Sequence, residues 1–265
     1  MGRCDGGHRG RKLIKMFFDI IGSGSKGNAT LVFSSKTTLL IDIGLPLKRI
    51  EPELNRFNKS IKDVDGVLIT HNHADHYRDL KSFSPKKQYA LEGTIPGSLS
   101  NVIELYKPFT IGDIKITAFE TSHDALNPCG YMFECDGEKL VYMTDTGCYL
   151  SKNTPYLKNP DYLIIESNHD IQMELHTNRP MELIQRVMSD HGHLCNEDSA
   201  FATLEIIGNN IKEIVLAHLS EEANTPETAL EAYRKIFAFK GYNLDDFNIR
   251  CAPQWEPLIG GRYDN

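Results

Sequence analysis

Several things are missing from this chain, and each absence narrows its class. No run of about 18 apolar residues occurs, so no membrane span is expected. The N-terminus has no apolar stretch of the signal-peptide kind, which points to a cytoplasmic protein. Six cysteines (Cys4, Cys129, Cys135, Cys148, Cys195 and Cys251) include no Cys-x-x-Cys pair. They fit a reducing compartment better than a disulfide framework or a thiolate zinc ribbon. Low-complexity segments, internal repeats and linkers after Met16 are also absent. Excess positive charge is lacking, since the net charge is −7 at pH 7. Residues 1–15 hold Arg3, Arg9, Arg11, Lys12 and Lys15 against Asp5 alone, so the rest of the chain is more acidic still. An acidic body gives no long-range steering to polyanions, and a phosphate-rich substrate must be held by local groups. With little in it that could pack, 1–15 reads as a flexible basic extension; a nucleic-acid arm is the sharper alternative. Residues 16–265 are then expected to form one domain.

What is present is strand-rich at first. Phe17-Phe18-Asp19-Ile20-Ile21, Ala29 to Phe33 and Thr38 to Ile43 are short, β-branched and aliphatic. Leu47, Ile50, Leu54 and Phe57 recur at helical spacing within 46–58. Val64 to Thr70 reads as a buried strand, and Asp75 to Phe83 as a short helix. Ile114 to Thr121, Gly130 to Cys135 and Lys139 to Thr144 are further strands, the last two a hairpin over Asp136-Gly137. After the strand Tyr162 to Glu166, helices are expected at 180–189, 196–207 and 226–239. Short strands at Ile214–His218 and Asn248–Cys251 accompany them. Strands and helices alternating in two successive halves predict a layered α/β sandwich.

One heptapeptide carries most of the functional information. Residues 70–76 read Thr-His-Asn-His-Ala-Asp-His, directly after the apolar Val67-Leu68-Ile69. Alternate side chains of an extended loop point the same way. His71 and His73 can therefore grip one metal while Asp75 and His76 turn towards a second. Imidazole with carboxylate suits zinc, manganese or iron. The missing ligands are expected at other strand ends, where His123, Asp145 and His218 stand in order along the chain.

These residues resemble the metallo-β-lactamase-fold hydrolases. The matching elements are Asp42 in Leu-Leu-Ile-Asp-Ile-Gly, the His-x-His-x-Asp-His loop, Thr-Ser-His123, Thr-Asp145-Thr-Gly and Ala-His218. The resemblance implies a four-layer αββα sandwich with two metals at one edge. It implies His71, His73 and His123 on the first metal, Asp75, His76 and His218 on the second, and Asp145 bridging. Asp42 would stand behind them and hold the histidine loop in shape. Di-iron members carry an acidic residue where His73 stands, and secreted lactamases lack the histidine seen here as His76. Both are disfavoured.

The flanking motifs narrow the branch. Gly22-Ser23-Gly24-Ser25-Lys26-Gly27-Asn28, Glu166-Ser167-Asn168-His169-Asp170, Gly192 to Glu197 and His218-Leu219-Ser220 with Asn224 to Glu227 look like the YycJ/WalJ-type members. That resemblance implies a 5′-to-3′ DNA exonuclease linked to repair. Cys195 departs from it, standing where serine is expected. Residues 146–217 leave no room for the inserted clamp domain of the β-CASP nucleases.

Two divalent ions a few ångströms apart make hydroxide available at neutral pH and stabilise charge on phosphoryl oxygens, which suits phosphodiester hydrolysis. The expected catalytic set is Asp145, Asp75 and His193. His193 is the candidate acid for the leaving 3′ oxygen, because RNase Z-like enzymes carry a similar non-ligand histidine before the last ligand. His169 is second, and each has a purely structural role as its alternative. Glu166 either orients His193 or a ligand, or caps a strand end. Ser25 and Asn28 are candidates for substrate contact or support, since the Gly-Ser loop can offer N–H groups to an anion, and Asn168 of the Glu166–Asp170 motif is another. Ser220 and Asn224 could contact phosphate, although Thr225 and Pro226 also read as a helix cap and first helical residue. Cys148 and Cys195 read as packing residues. Two other functions stay open: hydrolysis of small phosphodiesters or thioesters, and a metal-binding module without turnover, against which the complete ligand set argues.

Overall fold

The computed structural model describes residues 16–95 and 101–261, so the extension read at 1–15 lies outside the described residues. The first six strands are β1 (Phe17–Gly22), β2 (Ala29–Phe33), β3 (Thr38–Ile41), β4 (Gly66–Leu68), β5 (Gln88–Leu91) and β6 (Asn101–Ile103). Seven more follow: β7 (Phe109–Ile111), β8 (Ile114–Glu120), β9 (Cys129–Cys135), β10 (Glu138–Met143), β11 (Tyr162–Glu166), β12 (Glu213–Ala217) and β13 (Ile249–Cys251). The last strand, β14 (Leu258–Gly261), returns to the first sheet, giving orders β14-β1-β2-β3-β4-β5-β6 and β13-β12-β11-β10-β9-β8-β7. In the first sheet the pairing is antiparallel through β3 and parallel from β3 to β6. In the second it is antiparallel through β10 and parallel from β10 to β13.

The central parallel strands of the second sheet read as apolar runs, as Tyr-Leu-Ile-Ile of β11 and Ile-Val-Leu-Ala of β12 do, because both of their faces are covered. Between the sheets, Phe18, Ile20, Leu39 and Leu68 meet Ile116, Tyr131, Tyr142 and Ile164. The outer face of the first sheet packs on α1 (Leu47–Arg56) through Ile50 and Leu54, one turn apart on one helix face. The outer face of the second packs on α6 (Asn196–Ile206) and α7 (Pro226–Phe239) through Ala200, Tyr233 and Phe237. The four layers agree with the αββα expectation. Short helices α2 (Ala74–Tyr77), α3 (Thr154–Leu157), α4 (Ile171–Leu175) and α5 (Met181–Val187) complete the helical complement described.

Helix starts follow local chemistry. Thr225 Oγ1 accepts from Thr228 N at 3.1 Å with Pro226 at the first helical position, as the capping alternative predicted. Cys195 caps α6, its Sγ accepting from Asp198 N at 3.4 Å, the task a serine hydroxyl would perform. The hairpin turn Asp136-Gly137 has both residues at positive φ, 49° and 76°, as a two-residue turn requires.

Two predicted elements are markedly shorter than expected, the strand read over Val64–Thr70 being only Gly66–Leu68. The helix read over 75–83 is only α2, followed by a separate 3₁₀ turn at Leu80–Ser82. Its carbonyls are taken elsewhere: Asp75 O by Asn28 N (2.9 Å) and His76 O by Ile43 N (2.7 Å). Gly44 makes this possible, since a Cβ there would lie 1.4 Å from Asp75 O.

Asp19, in β1, is fully buried, and neither carboxylate oxygen has a hydrogen-bond partner among the described residues. Burial, and then Glu53, raise its pKa to about 7. The folded chain therefore binds a proton that the unfolded chain has already released above pH 4. The stability this carboxyl contributes is complete at low pH and is lost as pH rises towards about 7. Asp19→Asn is expected to remove that slope and stabilise the fold at pH 8 by about 2–4 kcal/mol. Thermal denaturation of both proteins from pH 4 to 8 measures the difference.

Candidate metal centre

The carboxyl ends of the parallel strands converge at one edge of the sandwich, where open α/β sheets place their sites. Three residues there, Asp42 after β3, Asp145 after β10 and His218 after β12, have φ of 57°, 55° and 57°. This left-handed turn swings each side chain out of its strand direction. Such positions carry backbone strain and favour Asp and Asn among non-glycine residues.

Asp42 anchors the histidine loop. Its Oδ1 accepts from Thr70 N at 2.9 Å, and its Oδ2 lies 2.8 Å from His76 Nδ1 and 2.9 Å from Thr70 Oγ1. Thr70 Oγ1 also sits 3.0 Å from His71 Nδ1. The Nδ1 of His123 faces Gly192 O at 2.9 Å. A single oxygen of Glu166, Oε1, receives both His218 Nδ1 (2.9 Å) and His193 Nδ1 (2.7 Å). The other, Oε2, accepts from Thr146 N at 2.9 Å and Leu194 N at 3.3 Å. With their Nδ1 atoms engaged, His71 and His218 have Nε2 left for a ligand, the support that metal-binding imidazoles require. The Nε2 atoms of His76 and His123 also lie 2.9 Å from the Asn28 amide and 3.3 Å from His73 Nδ1, respectively.

Two donor triads result. His71, His73 and His123 bring ligand atoms within 4.8 Å of one another, and so do Asp75, His76 and His218. Asp145 lies between them: its Oδ1 is 3.5 Å from His218 Nε2 and 3.9 Å from His123 Nε2, and its Oδ2 is 3.7 Å from His76 Nε2. His71 Nε2, His218 Nε2 and Asp145 Oδ2 are buried without any hydrogen-bond partner. Buried polar atoms are almost always satisfied, and three orphans converging on one spot fit divalent cations with an N/O donor set.

The electrostatics agree. Burial opposes charge on His218, but Asp145 and Glu166 outweigh it and push its pKa up to about 9. Burial likewise opposes charge on His76, and Asp42 and Asp145 raise it well above the ordinary histidine range. Asp145 is held well below the carboxylate range despite burial, by His218, His76, His71 and His123. Glu166, also buried, falls to about 2 through the charge and hydrogen bonds of His193 and His218. Burial, reinforced by the neighbouring histidines, holds His71 well below its usual value. Mutual attraction and repulsion of this strength mark a functional site.

A cleft of about 360 Å³ opens over the centre, lined by Ser25, His73, Asp75, Asn168, His193 and Ser220 among others. Asn28 is buried behind it, its amide 2.9 Å from His76 Nε2 and 3.4 Å from Asp75 Oδ2. Asn168 donates to His218 O at 2.8 Å. Two sequence candidates are not brought to the cleft. Asn224 is buried, its amide donating to Ser167 O (2.9 Å), Asn168 O (3.0 Å) and Asn196 Oδ1 (2.9 Å), so no donor is left for a phosphate. His169 is buried beside Cys195 in an isolated β-bridge, and burial lowers its pKa to about 4. The chain after β11 is stitched to the start of α6 through the Asn224 amide and the His169 backbone.

The cleft also holds residues that the sequence did not single out. Asp124 Oδ1 lies 3.5 Å from His123 Nε2, and its other oxygen pairs with Arg186. Arg179 donates to both oxygens of buried Glu174 (2.8 and 3.1 Å), to Glu222 (3.2 Å) and to Ser220 Oγ (3.3 Å). Adjacency to His123 was the only available signal for Asp124. The arginines had none.

The chain belongs to the beta-lactamase superfamily, whose domain model matches residues 37–219. Its relatives include exodeoxyribonuclease WalJ of Streptococcus pneumoniae, 37% identical over 227 residues, covering 80% of this chain and 84% of the relative. Exodeoxyribonuclease YycJ of Bacillus anthracis is 34% identical over 244 residues, covering 87% and 92%. Among solved structures, the metallo-beta-lactamase fold protein YhfI from Bacillus subtilis matches with a TM-score of 0.68, 17% identity and coverage of 92% and 99%. The short form of human tRNase Z matches with a TM-score of 0.61, 16% identity and coverage of 91% and 98%. These two likenesses establish the fold. No helix among the described residues is long and apolar enough to cross a membrane.

Proposed function

We propose that this protein is a metal-dependent phosphodiesterase acting on DNA as a 5′-to-3′ exonuclease in repair. The observation that carries the hydrolase reading is the pair of donor triads meeting at Asp145, with His71 Nε2, His218 Nε2 and Asp145 Oδ2 buried and unpartnered. The choice of DNA rests on the relatives called exodeoxyribonucleases. His71, His73 and His123 would hold one divalent ion, Asp75, His76 and His218 a second, and Asp145 both. Zinc and manganese each suit these donors. Bound there, two ions supply Lewis acidity to the phosphoryl group and hydroxide at neutral pH.

The protein's own side chains do the rest. Asp42 and Glu166 fix the ring orientations of His76 and His218. His193 is fixed through Nδ1 by the same Glu166 oxygen, and its ring lies on the cleft wall. Its Nε2 is the proton donor to the leaving 3′ oxygen. Ser25, Ser220 and Asn168 offer neutral donors to the phosphate, and Arg179 and Arg186 are the cleft's only lysine or arginine side chains among the described residues. The five described cysteines are all free, which suits a reducing cytoplasm.

Metal-loaded protein is expected to release mononucleotides progressively from 5′-labelled duplex DNA, with a steep dependence on salt. Chelated protein is the blank. The crowding of Asp75, Asp124, Asp145 and Glu222 around the cleft favours a second reading, hydrolysis of small phosphodiesters. Intact DNA beside turnover of bis-p-nitrophenyl phosphate would select it.

A further inference from the structure

The chain has one tryptophan, and the structure leaves it outside the core, 42% exposed. Trp255 lies in Pro253-Gln254-Trp255-Glu256-Pro257, where the two prolines restrict the backbone at both ends. Its indole N–H donates to Glu221 Oε1 at 3.0 Å, and its carbonyl accepts from the Arg49 guanidinium. The Lys26 ammonium and the Arg49 guanidinium each lie 5.8 Å from the ring centroid. Lys26 is also ion-paired with Glu221.

This cluster stands at the rim of the metal cleft. Lys26 follows Ser25, and Glu221 lies between Ser220 and Glu222, all three of which line the cleft. The intervening loop is tied to the centre at both ends: Ser23 Oγ accepts from His218 N at 2.9 Å, and Asn28 reaches His76. Gln254 is packed on the same loop, where a Cβ at Gly24 would lie 2.2 Å from its side chain. The indole is thus held at a fixed place beside the site, with two cations over its ring.

An isolated exposed aromatic residue is unremarkable. A rigidly presented indole with lysine and arginine over its ring, joined through Lys26 and Glu221 to the rim of the proposed phosphodiester cleft, has the composition of a single-strand stacking platform. Every base offers a π-face, and the cations suit the phosphates on either side of it. We propose that Trp255, with Lys26 and Arg49, stacks a nucleobase of the DNA strand just outside the metal cleft. The platform would hold that strand between one cleavage and the next. It rests on the exonuclease reading above.

The single tryptophan is its own reporter. Single-stranded oligodeoxynucleotide is titrated into metal-loaded His193→Ala protein, and tryptophan emission is recorded. Saturable quenching is expected. In the otherwise native protein, Trp255→Ala is expected to raise the KM for DNA by about 5- to 100-fold relative to its effect on bis-p-nitrophenyl phosphate, the range for losing one base–aromatic stack. Trp255→Phe should recover most of that loss. Unchanged emission together with an unchanged KM on DNA that is still degraded overturns the platform alone. Equal losses on both substrates also overturn it, since they report damage to the centre. Failure of the native protein to bind or degrade DNA overturns the nuclease reading and the platform with it.

Discussion

Asp145→Ala should abolish phosphodiester hydrolysis, lowering kcat by about 10³-fold or more while the sandwich still folds. The carboxylate lies within 4 Å of ring nitrogens from His76, His123 and His218, so it is shared by both donor triads. Losing a group placed to hold two ions would remove several kcal/mol of stabilisation of developing charge, and each 1.36 kcal/mol is a factor of ten. Metal analysis of the purified variant should show fewer ions per chain than in the native protein. A fully loaded variant with native turnover would remove Asp145 from the centre of the site.

His193→Ala should do nearly as much by a different route. Its ring lies 5.0 Å from that of His123 and 5.2 Å from that of His218. It comes within 4.8 Å of Asp145, Glu166 and His218 as a ligand group could, but its Nδ1 is taken by Glu166. It stands outside both the His71-His73-His123 and Asp75-His76-His218 triads. The variant is therefore expected to keep both ions and lose about 10²- to 10⁴-fold in kcat, the usual contribution of a positioned acid. The distinction lies in substrates whose leaving group needs no proton. Bis-p-nitrophenyl phosphate, which releases a stable phenolate, should be hydrolysed almost normally, whereas DNA should not. Full metal content with unchanged DNA turnover would leave His193 a structural residue. Glu166→Gln offers a contrast, since Oε1 positions both His193 and His218. It should lower metal affinity, by about 10- to 100-fold, as well as rate.

These effects rest on residues that were unequally visible in the sequence. The histidine loop was legible because its donors are crowded into seven positions, and its neighbours could be sought wherever an apolar strand stopped. The four layers followed from strong runs such as β10 and β11. Strands β5, β6, β7 and β14 were not read, being short and carrying Gln88, Asn101, Thr110 or Gly260 where an apolar pattern would be expected. They are ordered by the sheet beside them more than by their own composition. Asn224 looked like a phosphate contact because an asparagine in a loop is ordinarily wet; its amide hydrogen bonds to Ser167, Asn168 and Asn196 appear only when β11 and α6 come together. Trp255 reached the cleft rim by pairing with residues some 200 positions earlier, which no local pattern encodes.

Each donor triad takes side chains from both sheets. His71 and His73 leave the first and His123 the second; Asp75 and His76 leave the first and His218 the second. An ion in either triad is therefore a cross-link between the two halves of the sandwich, closing a chain loop of some 50 to 140 residues without a covalent bond. Ligand binding to the folded state alone adds stability, about 2.7 kcal/mol at a hundredfold excess over Kd. Chelation should consequently lower Tm as well as activity, and calorimetry with and without added zinc would register it. For this chain the ions that serve chemistry would also serve as rivets, and scarcity of metal would be felt first as loosened architecture.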